Sequence, residues 1–120
     1  MRRLIRSWRA RVAVEGHSME PTLRDGDWLL VDPHAYRHAL PRAGDLVVAA
    51  DPRQPGRLIV KRVERIEADG LLALAGDHPA HSEAAGLPAV AASALRGRPW
   101  FRYWPMRRFG RIARDRRGVE

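Results

Sequence analysis

Short stretches rich in apolar residues, some with apolar and polar positions alternating at a period of two, are separated by clusters of turn residues. RVAVE (Arg11 to Glu15), WLLVD (Trp28 to Asp32), LVVAA (Leu46 to Ala50), Leu58 to about Glu67, LLALA (Leu71 to Ala75) and Arg96 to Trp104 each predict a strand. Asp25-Gly26, PRAGD, the Pro- and Gly-rich DPRQPGR loop and Asp69-Gly70 predict the turns, and the last of these makes residues 58 to 75 a β-hairpin. VAASAL fits either a strand or a helical turn. Helical spacing occurs only near the ends. Leu4, Ile5, Trp8 and Val12 recur among arginines, and Met106, Phe109, Ile112 and Ala113 repeat the pattern, so each end predicts a short basic amphipathic segment. The first could rest on anionic lipid, or be a frayed arm or a helix packed on the domain by Trp8. The pattern predicts a mainly β single domain over residues 12–105, with a basic arm at 1–11 and a basic tail at 106–120.

Composition narrows the chemistry. At 120 residues the chain is long enough for one core and not two. It has no cysteine, which excludes disulfides, thiol nucleophiles and cysteine zinc sites. No apolar run approaches the roughly 20 residues of a bilayer-spanning helix, so the chain is expected to be cytoplasmic, with membrane contact at most peripheral. The 22 Lys+Arg against 14 Asp+Glu leave a formal charge of +8, favouring anionic membrane, nucleic acid or acidic protein surfaces as encounters. No aromatic-basic nucleic-acid motif accompanies that charge, so no specific nucleic acid is expected. His34 and His38 stand at an interval that could share a metal on a helix face, but no third ligand follows at a matching interval.

One basic residue is unlike the rest. Lys61 is the only lysine, the other 21 basic residues being arginines. It lies inside LIVKRV, where Leu58, Val60 and Arg62 face one way and Ile59, Lys61 and Val63 the other. An arginine keeps its proton at accessible pH, whereas a desolvated lysine can release one and act as a base. A free lysine has a pKa of about 10.4, and bringing it near neutrality by burial costs about 4 kcal/mol, which a small domain rarely carries without a use for it. The plain alternative is a lysine that reaches solvent or pairs with Glu64 or Asp77. Ser18, in EGHSMEPTL (Glu15 to Leu23), is the matching candidate nucleophile, since a serine hydroxyl attacks only when a neighbouring base takes its proton. Its alternative is a turn or cap serine before Pro21. His17 adjoins Ser18, would point away from it on an extended strand, and so is a poor base.

Read together, these segments resemble the type I signal peptidase family of Ser-Lys proteases. The resemblance runs from about Val14 to Pro105 and rests on an ordered set: GHSMEPTL at Gly16 to Leu23, Gly26-Asp27, PRAGDLVV at Pro41 to Val48, IVKRV at Ile59 to Val63, GDHPAHS at Gly76 to Ser82, and the closing RYWP. It implies a β-rich domain of coiled sheets, with substrate extended along strand edges. It also implies Ser18 as nucleophile, Lys61 as general base and Ser82 as the residue that orients the lysine. Gly16, His17, Met19 and Pro21 would meet substrate, with Met19 lining the cleft. Gly76 and Asp77 would support the loop, and the Ser18 N–H with a neighbouring donor would hold the oxyanion. No metal or other cofactor is implied.

Three departures bear on that implication. The family usually has Asn where this chain has His78, and Asp-Ser-Arg where it has Ala84, Ala85 and Gly86; Gly16 offers no hydroxyl to the oxyanion. Within the family, the short arginine-rich chain looks like the proteases that mature nickel-type superoxide dismutase by removing a short N-terminal leader. The partner implied is thus a precursor protein. Alternatives are a homologue that acts on other leaders at the membrane surface, a self-cleaving repressor-like relative, for which residues 1 to 15 leave little cleavable segment, and a peptide-binding β module with an inactive dyad.

Overall fold

The computed structural model describes residues 11–78 and 87–112. Its seven strands are β1 (Arg11–Ala13), β2 (Trp28–Asp32), β3 (Leu46–Ala50), β4 (Leu58–Ile66), β5 (Leu72–Ala75), β6 (Leu95–Trp104) and β7 (Gly110–Arg111). They form one antiparallel sheet in the order β1-β2-β6-β3-β4-β5, with β7 pairing β6. The mainly β architecture expected from the alternation is present. Ala92–Ala94 resolves the ambiguous VAASAL as a 3-10 turn.

The tail differs from its helical spacing. Met106–Arg108 is a single 3-10 turn, and β7 then returns along β6, with Phe101 opposite Arg111. The extended backbone of Pro105 and Phe109 on either side leaves no room for a helix, and Ile112 reaches the core. The expected amphipathic segment at residues 1–11 lies outside the described residues apart from Arg11, which opens β1.

Strand β6 is the longest and joins two halves of the sheet. Its Arg98 to Trp104 stretch pairs β2, and Leu95 to Gly97 pairs β3. Gly97 sits at the crossing, where an added Cβ would come within 2.6 Å of the Asp32 carbonyl oxygen and 2.7 Å of Val31 Cγ1, so only glycine lets β2 approach so closely.

The core is two clusters on opposite faces. Leu46 and Val48 of β3 join Val12, Met19, Leu23 and Leu29 in one, while Val47 and Ala49 join Ile59, Val63, Leu72 and Leu74 in the other. Strand β4 is divided in the same way. Leu58 and Val60 lean on the first cluster, and Ile59 and Val63 enter the second, the alternation a period of two requires. Lys61 pairs Val47 across the ladder and therefore shares the second cluster's face.

Aspartates order the turns between strands. Their carboxylates accept nearby backbone N–H groups, a local bond that competes with strand pairing and stops it. Asp45 takes the N–H of Arg42, Asp69 that of Leu71, and Asp51 that of Arg53. Burial pushes the Asp51 carboxyl up, but the hydrogen bonds from the Arg53 side chain and backbone, with the charges of Arg53 and Arg57, outweigh it and hold the group below its ordinary value. A depressed carboxyl contributes stability in full above its unfolded value of about 3.9 and loses it as pH falls through the folded value. Urea unfolding should show a wild-type advantage over Asp51→Asn that is constant from neutrality to about pH 5 and shrinks below about pH 4.

Candidate active site

The segment between β1 and β2 is a turn closed at its base. Val14 donates its N–H to Asp27 O at 2.8 Å, Gly26 N–H returns to Val14 O at 2.9 Å, and Gly16 N–H reaches Asp25 Oδ1 at 2.8 Å. Gly16 has φ +88, a left-handed value that glycine takes without Cβ strain. Inside the turn, Met19 and Leu23 are buried in the first core cluster and Leu23 N–H bonds Met19 O. The two apolar anchors hold the turn down, and Ser18 is left half-buried on its rim.

Lys61 meets that rim. Its Nζ donates to Ser18 Oγ at 2.8 Å across 43 positions of sequence, and the residue is 4% exposed. Ile59 and Val63 flank it on its own strand face and Val47 stands opposite. Such surroundings disfavour the ammonium form. Asp77 meets Arg62, and Glu64 lies 3.6 Å from Arg65. The 2.8 Å separation serves transfer in either direction, since a neutral amine at that place could accept the hydroxyl proton.

The loop after β5 closes over the same rim. His78 donates its backbone N–H to Ser18 O at 2.9 Å. Gly76 lies so close that a Cβ there would press into the Ser18 carbonyl oxygen and stand 3.1 Å from Ser18 Cβ. Asp77 between them faces inward, where Arg62 grips it with two parallel bonds, Nε to Oδ1 at 3.0 Å and Nη2 to Oδ2 at 2.7 Å. Arg62 Nη1 also donates to Gly44 O, and Thr22 Oγ1 donates to Asp77 Oδ2 at 2.6 Å. The fork geometry is one that arginine supplies and lysine does not. Gly76 and Asp77 thus stand beside Ser18, whereas Ser82, Ala84, Ala85 and Gly86 lie outside the described residues.

The other expected substrate contacts are divided. Pro21 is exposed and preceded by a cis peptide bond. Met19, expected in the cleft, is 3% exposed and faces the core, because the turn bends the chain back after Ser18 and sends the next side chain beneath it. His17 is not on a strand; its Nδ1 lies 2.7 Å from Glu20 Oε2 on the outer side. The hydrogen bond to Glu20 raises the imidazole above its ordinary value and lowers the Glu20 carboxyl. His34 and His38 fall in turns rather than on a helix face, and no group of three potential metal ligands occurs among the described residues.

Four contributors escape a reading of the chain alone: Thr22, Arg62, the His78 N–H, and Arg102, whose Nη1 reaches Thr22 O and Asp27 Oδ2. Arg62 was assigned to the strand face away from Lys61, which is where it lies, but its partner was not visible. The family's Gly-Asp pattern marked Asp77 without showing what it holds.

An antiparallel β domain that brings a buried lysine to a turn serine defines a class of candidate hydrolase sites. The chain belongs to the signal peptidase, peptidase S26, family, whose model matches residues 4–85. It is similar to mitochondrial inner membrane protease subunit 1 of Xenopus tropicalis, 31% identical over 127 residues covering 89% of this chain and 76% of that one. Subunit 2 of Danio rerio is 32% identical over 121 residues, covering 82% of this chain and 66% of the relative. The mitochondrial ATP-independent inner membrane protease subunit 1b of Arabidopsis thaliana is 29% identical over 118 residues, 79% and 70% respectively. No solved structure matches the chain.

Proposed function

We propose that the protein is a serine endopeptidase that removes an N-terminal leader from a precursor protein, using Ser18 as nucleophile and Lys61 as general base. The observation that carries the reading is the 2.8 Å contact between Ser18 Oγ and an amine that is 4% exposed. Neutral Lys61 takes the hydroxyl proton as Ser18 Oγ attacks the scissile carbonyl carbon. The oxyanion forms beside the Ser18 N–H, and the proton then passes to the leaving amine, which departs as the new N-terminus. Water, deprotonated by Lys61, hydrolyses the acyl-enzyme. Ser82 orients the amine in this reading, and Gly16, His17 and Pro21 border the bound peptide.

The substrate is the finer part. The resemblance points to the leader of a nickel-type superoxide dismutase precursor, whereas the relatives' names refer to proteases of the mitochondrial inner membrane. Membrane-peripheral action is supported by the outer face near β6. Trp28, Trp104, Met106 and Phe109 are exposed there, Phe109 packs edge-on against Phe101 at 4.9 Å, and Arg11 lies over Tyr103. Exposed tryptophans beside arginines suit the interface of an anionic bilayer. Among the described residues no helix is long and apolar enough to cross a membrane.

The test is cleavage by the purified full chain of two precursors, a nickel-type dismutase with its leader and a membrane-associated protein with its own, each with and without anionic vesicles. Wild type is expected to release one mature N-terminus, and Ser18→Ala none. Equal cleavage by Ser18→Ala would overturn the assignment, and leader binding without cleavage would mark an inactive peptide-binding module.

A further inference from the structure

The turn that carries Ser18 is gripped from two sides at one residue. Thr22, four positions after Ser18, gives its hydroxyl proton to Asp77 Oδ2 at 2.6 Å, and so joins the Arg62–Asp77 pair next to Lys61. From the other side its carbonyl oxygen accepts Arg102 Nη1 at 3.0 Å, across 80 positions of sequence, and Arg108 Nη2 at 3.4 Å. Arg102 is fixed in turn. Its Nη1 lies 3.2 Å from Asp27 Oδ2, in a carboxylate whose side chain is 2% exposed, and its Nε donates to Arg108 O at 2.6 Å. Arg102 therefore ties the middle of the turn at Thr22, its end at Asp27 and the β6–β7 connection together through one guanidinium.

This attachment differs from the others that hold the turn. Met19 and Leu23 anchor it by apolar contact, which is non-directional and tolerates sliding. The base is closed by backbone bonds at Val14 and Gly26 and by the Gly16 N–H on Asp25 Oδ1. Charge-assisted bonds from a rigid planar fork fix direction as well as distance. Between Thr22 and Ser18 the chain is short and held by two turn bonds, Leu23 N–H on Met19 O and Glu20 N–H on His17 O. These form the path from Thr22 to Ser18, beside the direct bond of His78 N–H to Ser18 O. Burial, with Arg102 so near, holds the second guanidinium, that of Arg108, below its ordinary value. Two cations would not crowd one carboxylate there for solubility.

We propose that Arg102 is a positioning residue for the Ser18–Lys61 pair: through Thr22 and Asp27 it sets where Ser18 Oγ stands relative to Lys61 Nζ. The inference rests on the peptidase reading for its activity readout but not for its geometry. A misplacement on the scale of an ångström at a reacting group costs up to about a hundredfold in rate. Arg102→Gln should therefore lower kcat for leader cleavage by about tenfold or more with KM changed little. Arg102→Lys, which keeps the charge and loses the fork, should fall between Gln and wild type. The exposed Arg96→Lys, on the same strand, should match wild type.

A merely structural role would lower the melting temperature and leave kcat per folded molecule unchanged. That outcome, measured below the melting transition of each variant, would overturn the proposal, as would a rise in KM at constant kcat. The second readout is the rate at which Ser18 is labelled by a serine-directed boronate, followed by mass spectrometry. Slower labelling in Arg102→Gln supports positioning, and equal labelling refutes it. If wild type cleaves no leader, the peptidase reading fails alone, because the labelling rates still decide the role of Arg102.

Discussion

Lys61→Arg should abolish leader cleavage, lowering kcat/KM by about a thousandfold or more, although it keeps a basic side chain and a donor for Ser18 Oγ. The guanidinium cannot accept the hydroxyl proton at accessible pH, so the pair loses its base and retains its contact. Lys61→Met separates the two roles further. A desolvated amine is exchanged for an apolar chain of similar length at a site 4% exposed, among Val47, Ile59 and Val63, so thermal stability should hold or rise while activity is lost. Loss of stability in step with activity would instead identify Lys61 as a structural link. The wild-type rate should rise with pH through an apparent pKa well below the 10.4 or so of free lysine, because burial disfavours the ammonium. A rate that climbs only near pH 10 would contradict a neutral base.

Arg62→Met should be the most destabilising change near the site. It removes both bonds to Asp77, whose side chain is 3% exposed, and the bond to Gly44 O. Taking one member from a buried ion pair leaves a charge in a low dielectric and costs about 3–5 kcal/mol. Denaturant titration should show that loss, and Arg62→Met with Asp77→Leu should recover much of it, since the pair of apolar groups no longer strands a carboxylate. The double variant should nonetheless lose activity, because Asp77 adjoins His78, whose N–H bonds Ser18 O. Full activity in the double variant would show that the ion pair only holds the fold.

The fold was legible because most strands are half-buried in an antiparallel sheet, where a period of two is imposed by one wet and one dry face. β3 was read from its β-branched run even though it is buried on both faces. Ser18 and Lys61 were legible as a candidate pair for a different reason: a lone lysine within LIVKRV and a serine before a Pro-Thr turn are each ambiguous, and the ordered set of segments that resembles the family joins them. Arg62 and Arg102 break nothing. Among 21 arginines a useful one looks like its neighbours, and their partners are found 15 and 80 positions away. Met19 was placed in the cleft by the resemblance alone, and a turn has no periodicity to say that its side chain lies in the first core cluster. The C-terminal spacing of Met106, Phe109 and Ile112 imitated a helix that a 3-10 turn and a return strand replaced.

Lys61 and Arg62 are neighbours in the chain that work on opposite sides of β4, one at Ser18 and the other at Asp77. A slip of a single residue against β3 would bring Arg62 to the place of Lys61 and Val63 to that of Arg62, or, in the other direction, Val60 to the serine and Lys61 to the aspartate. In either direction a valine takes one of the two places, and the serine no longer meets an amine. The order of two adjacent letters, Lys then Arg, between two valines therefore encodes alignment and chemistry at once.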